Sequence, residues 1–138
     1  MTSTSRTMLA GFALVVGALM GGTAMGADIM VTLTGDNEVP PVKTSASGMA
    51  MLSIGDDGAV SGDITTSGVQ GTMAHIHMAA AGKNGPVIVK LVKDGDKYSV
   101  PAGTKLDADQ IKAFKAGELY VNVHSAQNKG GEIRAQLK

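Results

Sequence analysis

The chain has 138 residues, a length that suits one domain and is short for two. Its 12 Lys and Arg are balanced by 12 Asp and Glu, so it has no basic surplus with which to bind a nucleic-acid backbone. It contains no Cys, which excludes a disulfide scaffold, a thiolate metal site and a thiol nucleophile. Stability must therefore come from packing, and any metal ligands must be other residue types.

The N-terminal segment has the pattern of a secretory signal. Its first residues are polar with one positive charge, Arg6, residues 8–27 are uncharged, and residues 24–26 fit the small-x-small rule for cleavage. We therefore expect a signal peptide over residues 1–26, a mature domain over residues 27–138, and a periplasmic or secreted location. The alternative is an uncleaved membrane anchor, since about 20 apolar residues can span a bilayer.

The rest of the chain has the pattern of short strands. Apolar and polar residues alternate over residues 28–35 and 48–54, and the prolines at 40–41 make the segment between them a loop. Residues 56–58 favour a tight hairpin turn, and residues 128–131 favour another. Further strands are predicted over residues 59–68, 72–78, 86–92, 118–125 and 132–138. Strands separated by turns about every 8 to 12 residues are typical of an all-β antiparallel sandwich or barrel.

Two local signals concern the loops and one helix. Asn84 and Gly85 favour a positive φ in the loop that joins two of the predicted strands. Asp107 followed three residues later by Gln110 is a capping-box pattern, and Gly117 is suited to the position just past a helix end. The sequence therefore predicts one short helix within an otherwise all-β domain.

The 3 histidines of the chain lie on the polar faces of two predicted strands. Alternation places His75 and His77 together on one face of residues 72–78, and places His124 opposite the apolar side chains of residues 118–125. If these strands are neighbours, the three imidazoles converge and can hold one copper or zinc ion. The alternative is that they are solvated or hydrogen-bonded strand residues.

Other side chains near these positions are candidates for the same site. Met73 precedes His75 by two residues on the same face, and its thioether would favour Cu(I). Glu132 and Arg134 share the polar face of the last strand, and we expect them to flank His124. Glu132 is then a fourth ligand or an acceptor that orients a ligand imidazole. The alternative is a surface ion pair with Arg134, worth at most about 1 kcal/mol.

Three further polar residues are expected near the site. Tyr120 and Asn122 share the polar face of His124, and together with Arg134 they are expected to surround the ligands without binding the ion. Glu38, just ahead of the double proline, is another acidic candidate, unless it only holds its own loop.

The motifs of the mature segment resemble those of a known family. The resemblance rests on the segments EVPP, HIH, NGP, YVNVH and GEIR, in that order and spacing. These are similar to the CHRD domain, the module named after chordin and common in bacterial exported proteins. The resemblance covers roughly residues 28–138 and implies a β-sandwich, but it implies little chemistry. Met78 stands where the family usually has Gly, and Lys129 stands where it usually has Pro.

The order of the histidines is also similar to that of the copper ligands of copper/zinc superoxide dismutase, which is a Greek-key β-sandwich. This similarity concerns only the arrangement of the site. With 3 histidines the chain cannot supply both metal sites of that enzyme. We therefore expect a protein that binds one copper or zinc ion for storage, delivery or protection. The alternatives are a metal-free module whose loops contact an exported protein or an envelope polymer, and a mononuclear copper redox enzyme. No catalytic residues are predicted.

Overall fold

A computed structural model describes residues 26–138, which form nine β-strands, a short 3-10 helix (Gly35–Asn37) and one α-helix, α1 (Ala108–Lys115). The strands are β1 (Ala27–Thr34), β2 (Ser47–Ile54), β3 (Val60–Ser67), β4 (Gly71–Met78), β5 (Val87–Lys90), β6 (Val92–Asp94), β7 (Lys97–Ser99), β8 (Leu119–Ser125) and β9 (Ile133–Gln136). The predicted signal peptide falls almost wholly outside the described residues. Within them, no helix has the length and apolar character needed to cross a membrane.

All nine strands belong to one antiparallel sheet, in the order β5-β4-β8-β9-β1-β2-β3-β7-β6. The strands at the two ends of this order, β5 and β6, are consecutive in the chain and are separated only by Leu91. The N–H of Leu91 donates to the carbonyl oxygen of Ala74 at 3.0 Å. The sheet therefore curls until its ends meet and forms a nearly closed barrel. The prediction of an all-β antiparallel sandwich or barrel with one short helix is confirmed.

Side-chain alternation fills the inside of this barrel with aliphatic residues. Ile29 and Leu33 of β1 and Ala74 and Ile76 of β4 are all buried, as the period of two predicts. All seven residues of β8 are buried, so its polar face is covered as well as its apolar one. Loops cover that polar face, and this is where the histidines lie.

The helix forms as its caps predict. The Asp107 side chain accepts from the backbone N–H of Gln110 at 2.8 Å, and the Gln110 side chain accepts from the N–H of Asp107 at 3.0 Å. Gly117 has a φ of 75°, a conformation that glycine adopts at little cost just past a helix end.

The loop between β4 and β5 differs from its prediction. Neither Asn84 nor Gly85 has a positive φ. The residue with a positive φ in this loop is Gly82, at 80°, within the turn over residues 80–83. Gly85 is required for another reason, because a Cβ there would overlap the carbonyl oxygen of Met78. The sequence pattern indicated a special backbone position in this loop but assigned it to the wrong residue.

Candidate metal centre

The two histidine strands are hydrogen-bonded neighbours. β4 pairs with β8 along its length, which places His75 opposite Asn122 and Met73 opposite His124. The adjacency on which the predicted site depends is therefore present. One ligand atom from each of the three histidines lies within 4.8 Å of the others.

His75 and His124 are spaced like two ligands of one ion. Nδ1 of His75 and Nε2 of His124 are joined by a hydrogen bond of 3.1 Å, which an ion bound between them would replace. Two nitrogens bound tetrahedrally to one zinc ion would lie about 3.3 Å apart. Nδ1 of His124 donates to the carbonyl oxygen of Lys129 at 2.7 Å, so Nδ1 holds the proton of the neutral ring and Nε2 keeps its lone pair. A backbone acceptor on the far nitrogen is the usual arrangement for a metal-binding imidazole.

The surroundings of His75 keep its imidazole neutral. Burial is the main cause, and the neighbouring His124, His77 and Lys90 add to it, lowering the pKa of His75 to about 4. The ring is only half-buried, so an ion arriving from solvent can reach it. Because metals bind the neutral form of histidine, few protons compete for His75 near neutral pH.

His77 has both ring nitrogens engaged. Nδ1 lies 2.9 Å from the carbonyl oxygen of Gly85, and Nε2 lies 2.9 Å from Oδ1 of Asn122, so each nitrogen faces an acceptor. Burial lowers the pKa of His77, although these two hydrogen bonds act against that shift. Donating through both nitrogens requires a charged imidazolium, so the neutral ring donates through only one of them. To bind a metal ion, His77 must exchange one of these two contacts for it.

A three-layer stack holds His77 in place. The His77 and Tyr120 rings are parallel to within 4°, with centroids 4.6 Å apart, and the guanidinium carbon of Arg134 lies 3.4 Å from the Tyr120 ring centroid. Arg134 also donates to Oδ1 of Asn84 at 3.0 Å and to the carbonyl oxygen of Lys83 at 2.6 Å. The residues expected to surround the ligands are thus assembled around His77.

The structure does not bring Glu132 to the histidines. Its carboxylate accepts from the hydroxyls of Thr44 and Ser125, both at 2.8 Å, and from the Asn128 amide at 3.2 Å. Burial tends to raise the pKa of Glu132, but these three hydrogen bonds outweigh it and lower the pKa. Glu132, which lies just before β9, therefore joins the loop of Thr44 to the turn after β8. His124 is oriented instead by the backbone carbonyl of Lys129.

A cleft of about 780 Å³ opens beside the histidines. The loop over residues 38–43 forms one wall, and His77 and His124 lie on the other. The Asn84 amide donates to the carbonyl oxygen of Val39 at 2.9 Å and so joins this loop to the one after β4. These loops bury the polar face of β8, and the cleft lies between them.

Glu38 is buried at the base of this cleft. Burial raises its pKa to about 7, although a hydrogen bond from Asn122 and the charge of Arg134 act in the opposite direction. Nδ2 of Asn122 donates to the Glu38 carboxylate at 3.4 Å. Gly131 leaves room for this contact, since a Cβ there would overlap both Glu38 and Asn122. Glu38 therefore does more than hold its own loop, because it is linked through Asn122 to His77.

Comparisons with known proteins give one finding. The family model of the CHRD domain matches residues 29–137, which include the three histidines and every residue that surrounds them. Searches of the curated proteins and of the solved structures each return no match.

Proposed function

The chain belongs to the CHRD-domain family, and we propose that its domain binds one copper or zinc ion through His75, His77 and His124. The observation that carries this proposal is the pair of nitrogens on His75 and His124, 3.1 Å apart. The His124 ring already holds its proton on the far side, against Lys129. The bound metal would serve storage, delivery or protection.

Met73 favours copper over zinc at this site. It lies opposite His124 in the strand register, two residues from His75 on the same face, and its side chain is 49% exposed. A thioether is a soft ligand that selects Cu(I), whereas zinc is bound by imidazole, thiolate and carboxylate. The signal pattern of the N-terminal segment supports a periplasmic or secreted place for this function.

We expect the three histidines to contribute unequally to metal affinity. His75→Ala and His124→Ala each remove a nitrogen of the close pair and should weaken copper or zinc binding by more than about 100-fold. His77→Ala should weaken it by only about 10-fold, because the His77 ring centroid lies 5.5 and 5.9 Å from those of His75 and His124, which are 4.8 Å apart, and both of its nitrogens are already engaged. Titration against a chromogenic chelator of known affinity measures these differences.

The control for this series is Gln127→Ala. Gln127 is exposed and lies three residues after His124, in the turn that follows β8, so its loss should leave metal affinity unchanged. Metal affinity equal to wild type in all three histidine variants would refute the proposed site.

A metal-free interaction module is the second candidate, and the cleft favours it. Loops on a rigid barrel commonly carry binding surfaces, and the wall over residues 38–43 contains two consecutive prolines. The two candidates differ in their response to metal removal. An exported partner that binds equally well with and without chelator, and no longer binds after Pro41→Ala, would favour the module.

A further inference from the structure

Four of the five methionines among the described residues take no part in the buried core, and the fifth, Met78, packs against it. Of the six large hydrophobic side chains that are exposed, four are methionines and two are valines. The remaining described methionine, Met78, is only half-buried. Methionine is among the residue types most often fully buried in proteins. Packing of the barrel therefore does not explain why methionine occurs at these positions.

Three of these methionines share one patch on the outside of the barrel. Met30 of β1 lies directly opposite Met51 of β2, and Met49 is two residues from Met51 on the same face. Met30 is 66% exposed, Met51 is 54% exposed and Met49 is 40% exposed. Directly opposite residues have Cβ atoms about 5 Å apart, and residues two apart on a strand point the same way about 7 Å apart. We call Met30, Met49 and Met51 the methionine face.

We propose that the methionine face is a second metal site, which binds a soft monovalent cation such as Cu(I) or Ag(I). Thioether sulfur prefers such ions. The methionine side chain has three rotatable bonds, so the three sulfurs can turn toward one ion. Leucine or isoleucine would suit a merely apolar patch equally well, yet none of the described ones is exposed.

Charge beside the methionine face is compatible with a cation. Asp28 lies two residues before Met30 on β1, opposite Ser53, and its carboxylate accepts from the Ser53 hydroxyl at 3.0 Å. On the other side, Asp63 lies opposite Met51 and pairs with Lys97 at 3.3 Å. Asp28 therefore supplies a negative charge that no basic side chain in the described part of the chain neutralises.

The methionine face is separate from the histidine site. It lies on β1 and β2, whereas the histidines lie on β4 and β8, and β9 stands between the two pairs in the sheet. The proposal therefore does not depend on metal binding by the histidines.

The test uses Ag(I), which does not change oxidation state, and the mature domain with its histidines intact. Two-dimensional NMR follows the methionine methyl groups during the titration. We expect the methyl signals of Met30, Met49 and Met51 to shift together, and that of Met78 to stay unchanged. No shift at the three methionines would overturn the proposal.

A second measurement separates the two sites. Native mass spectrometry should show one fewer bound Ag(I) when Met30, Met49 and Met51 are all changed to Leu, a swap that keeps size and apolar character. Met78→Leu is the matched control. The same triple variant should bind Cu(II) or Zn(II) at the histidines as wild type does. An unchanged number of bound silver ions in the triple variant would show that the methionine face binds none.

Discussion

Arg134→Ala is expected to lower the free energy of unfolding by about 3 to 4 kcal/mol. The variant loses two charged hydrogen bonds and a cation–π contact, and the cost of desolvating the buried guanidinium offsets part of that loss. The side chain is 1% exposed and lies against the Tyr120 ring. It donates to Asn84 and Lys83 and so fixes the loop after β4. Removing it leaves a void beside Tyr120 and frees that loop.

Urea denaturation measures this loss, with Lys97→Ala as the control. Lys97 forms an ion pair with Asp63 at 3.3 Å, but its side chain is 53% exposed, so its loss should cost less than about 1 kcal/mol. Arg134→Lys should be intermediate, because lysine keeps the charge but loses the planar fork that reaches two acceptors and stacks on the ring. If Arg134→Ala destabilised the protein as little as Lys97→Ala, the contacts of Arg134 with Tyr120 and the loop after β4 would not stabilise the fold.

Glu38→Gln is expected to stabilise the protein by about 3 kcal/mol at pH 8, since each pKa unit corresponds to about 1.4 kcal/mol. Burial raises the pKa of Glu38 from 4.5 to about 7, so the folded state favours the neutral acid. Below pH 4.5 the group is protonated in both states and imposes no penalty. As the pH rises from 4.5 to about 7, the unfolded chain ionises first and wild-type stability falls. Glutamine does not ionise.

The difference between the Glu38→Gln and wild-type unfolding curves across pH isolates this effect, because the other titrating groups are common to both. Glu118→Gln, which neutralises an exposed carboxylate outside the cleft, controls for the change in net charge. Stability profiles of Glu38→Gln and wild type that run parallel from pH 4 to pH 8 would show that Glu38 is not desolvated in the fold.

Local patterns predicted much of the site. Period-two alternation placed His75, His77 and His124 on polar faces, and that placement depends only on strand geometry. The hairpin of β8 and β9 and the capped helix are also short-range features, each set by a few neighbouring residues. Tyr120 and Arg134 were expected near the ligands because they share the polar faces of their strands; Tyr120 stacks on His77, and Arg134 stacks on Tyr120.

Long-range contacts account for what could not be predicted. His77 and Asn122 are 45 residues apart in sequence, and Asn122 and Glu38 are 84 apart, so no local pattern indicates that they touch. Glu132 alternates with Arg134 as expected, yet Thr44, 88 residues away, helps to hold its carboxylate away from the histidines. The burial of the polar face of β8 has the same origin, since it depends on the loops that carry residues 38–43 and 84–85, which are distant from β8 in sequence.

The most direct test of the proposed metal site is elemental analysis of protein purified from its native host without chelator, alongside His124→Ala. We expect the native protein to carry one copper or zinc ion per chain more than the His124→Ala variant, with the two proteins equally well folded by circular dichroism. Native protein that carries no metal and takes up neither ion at micromolar concentration would contradict it.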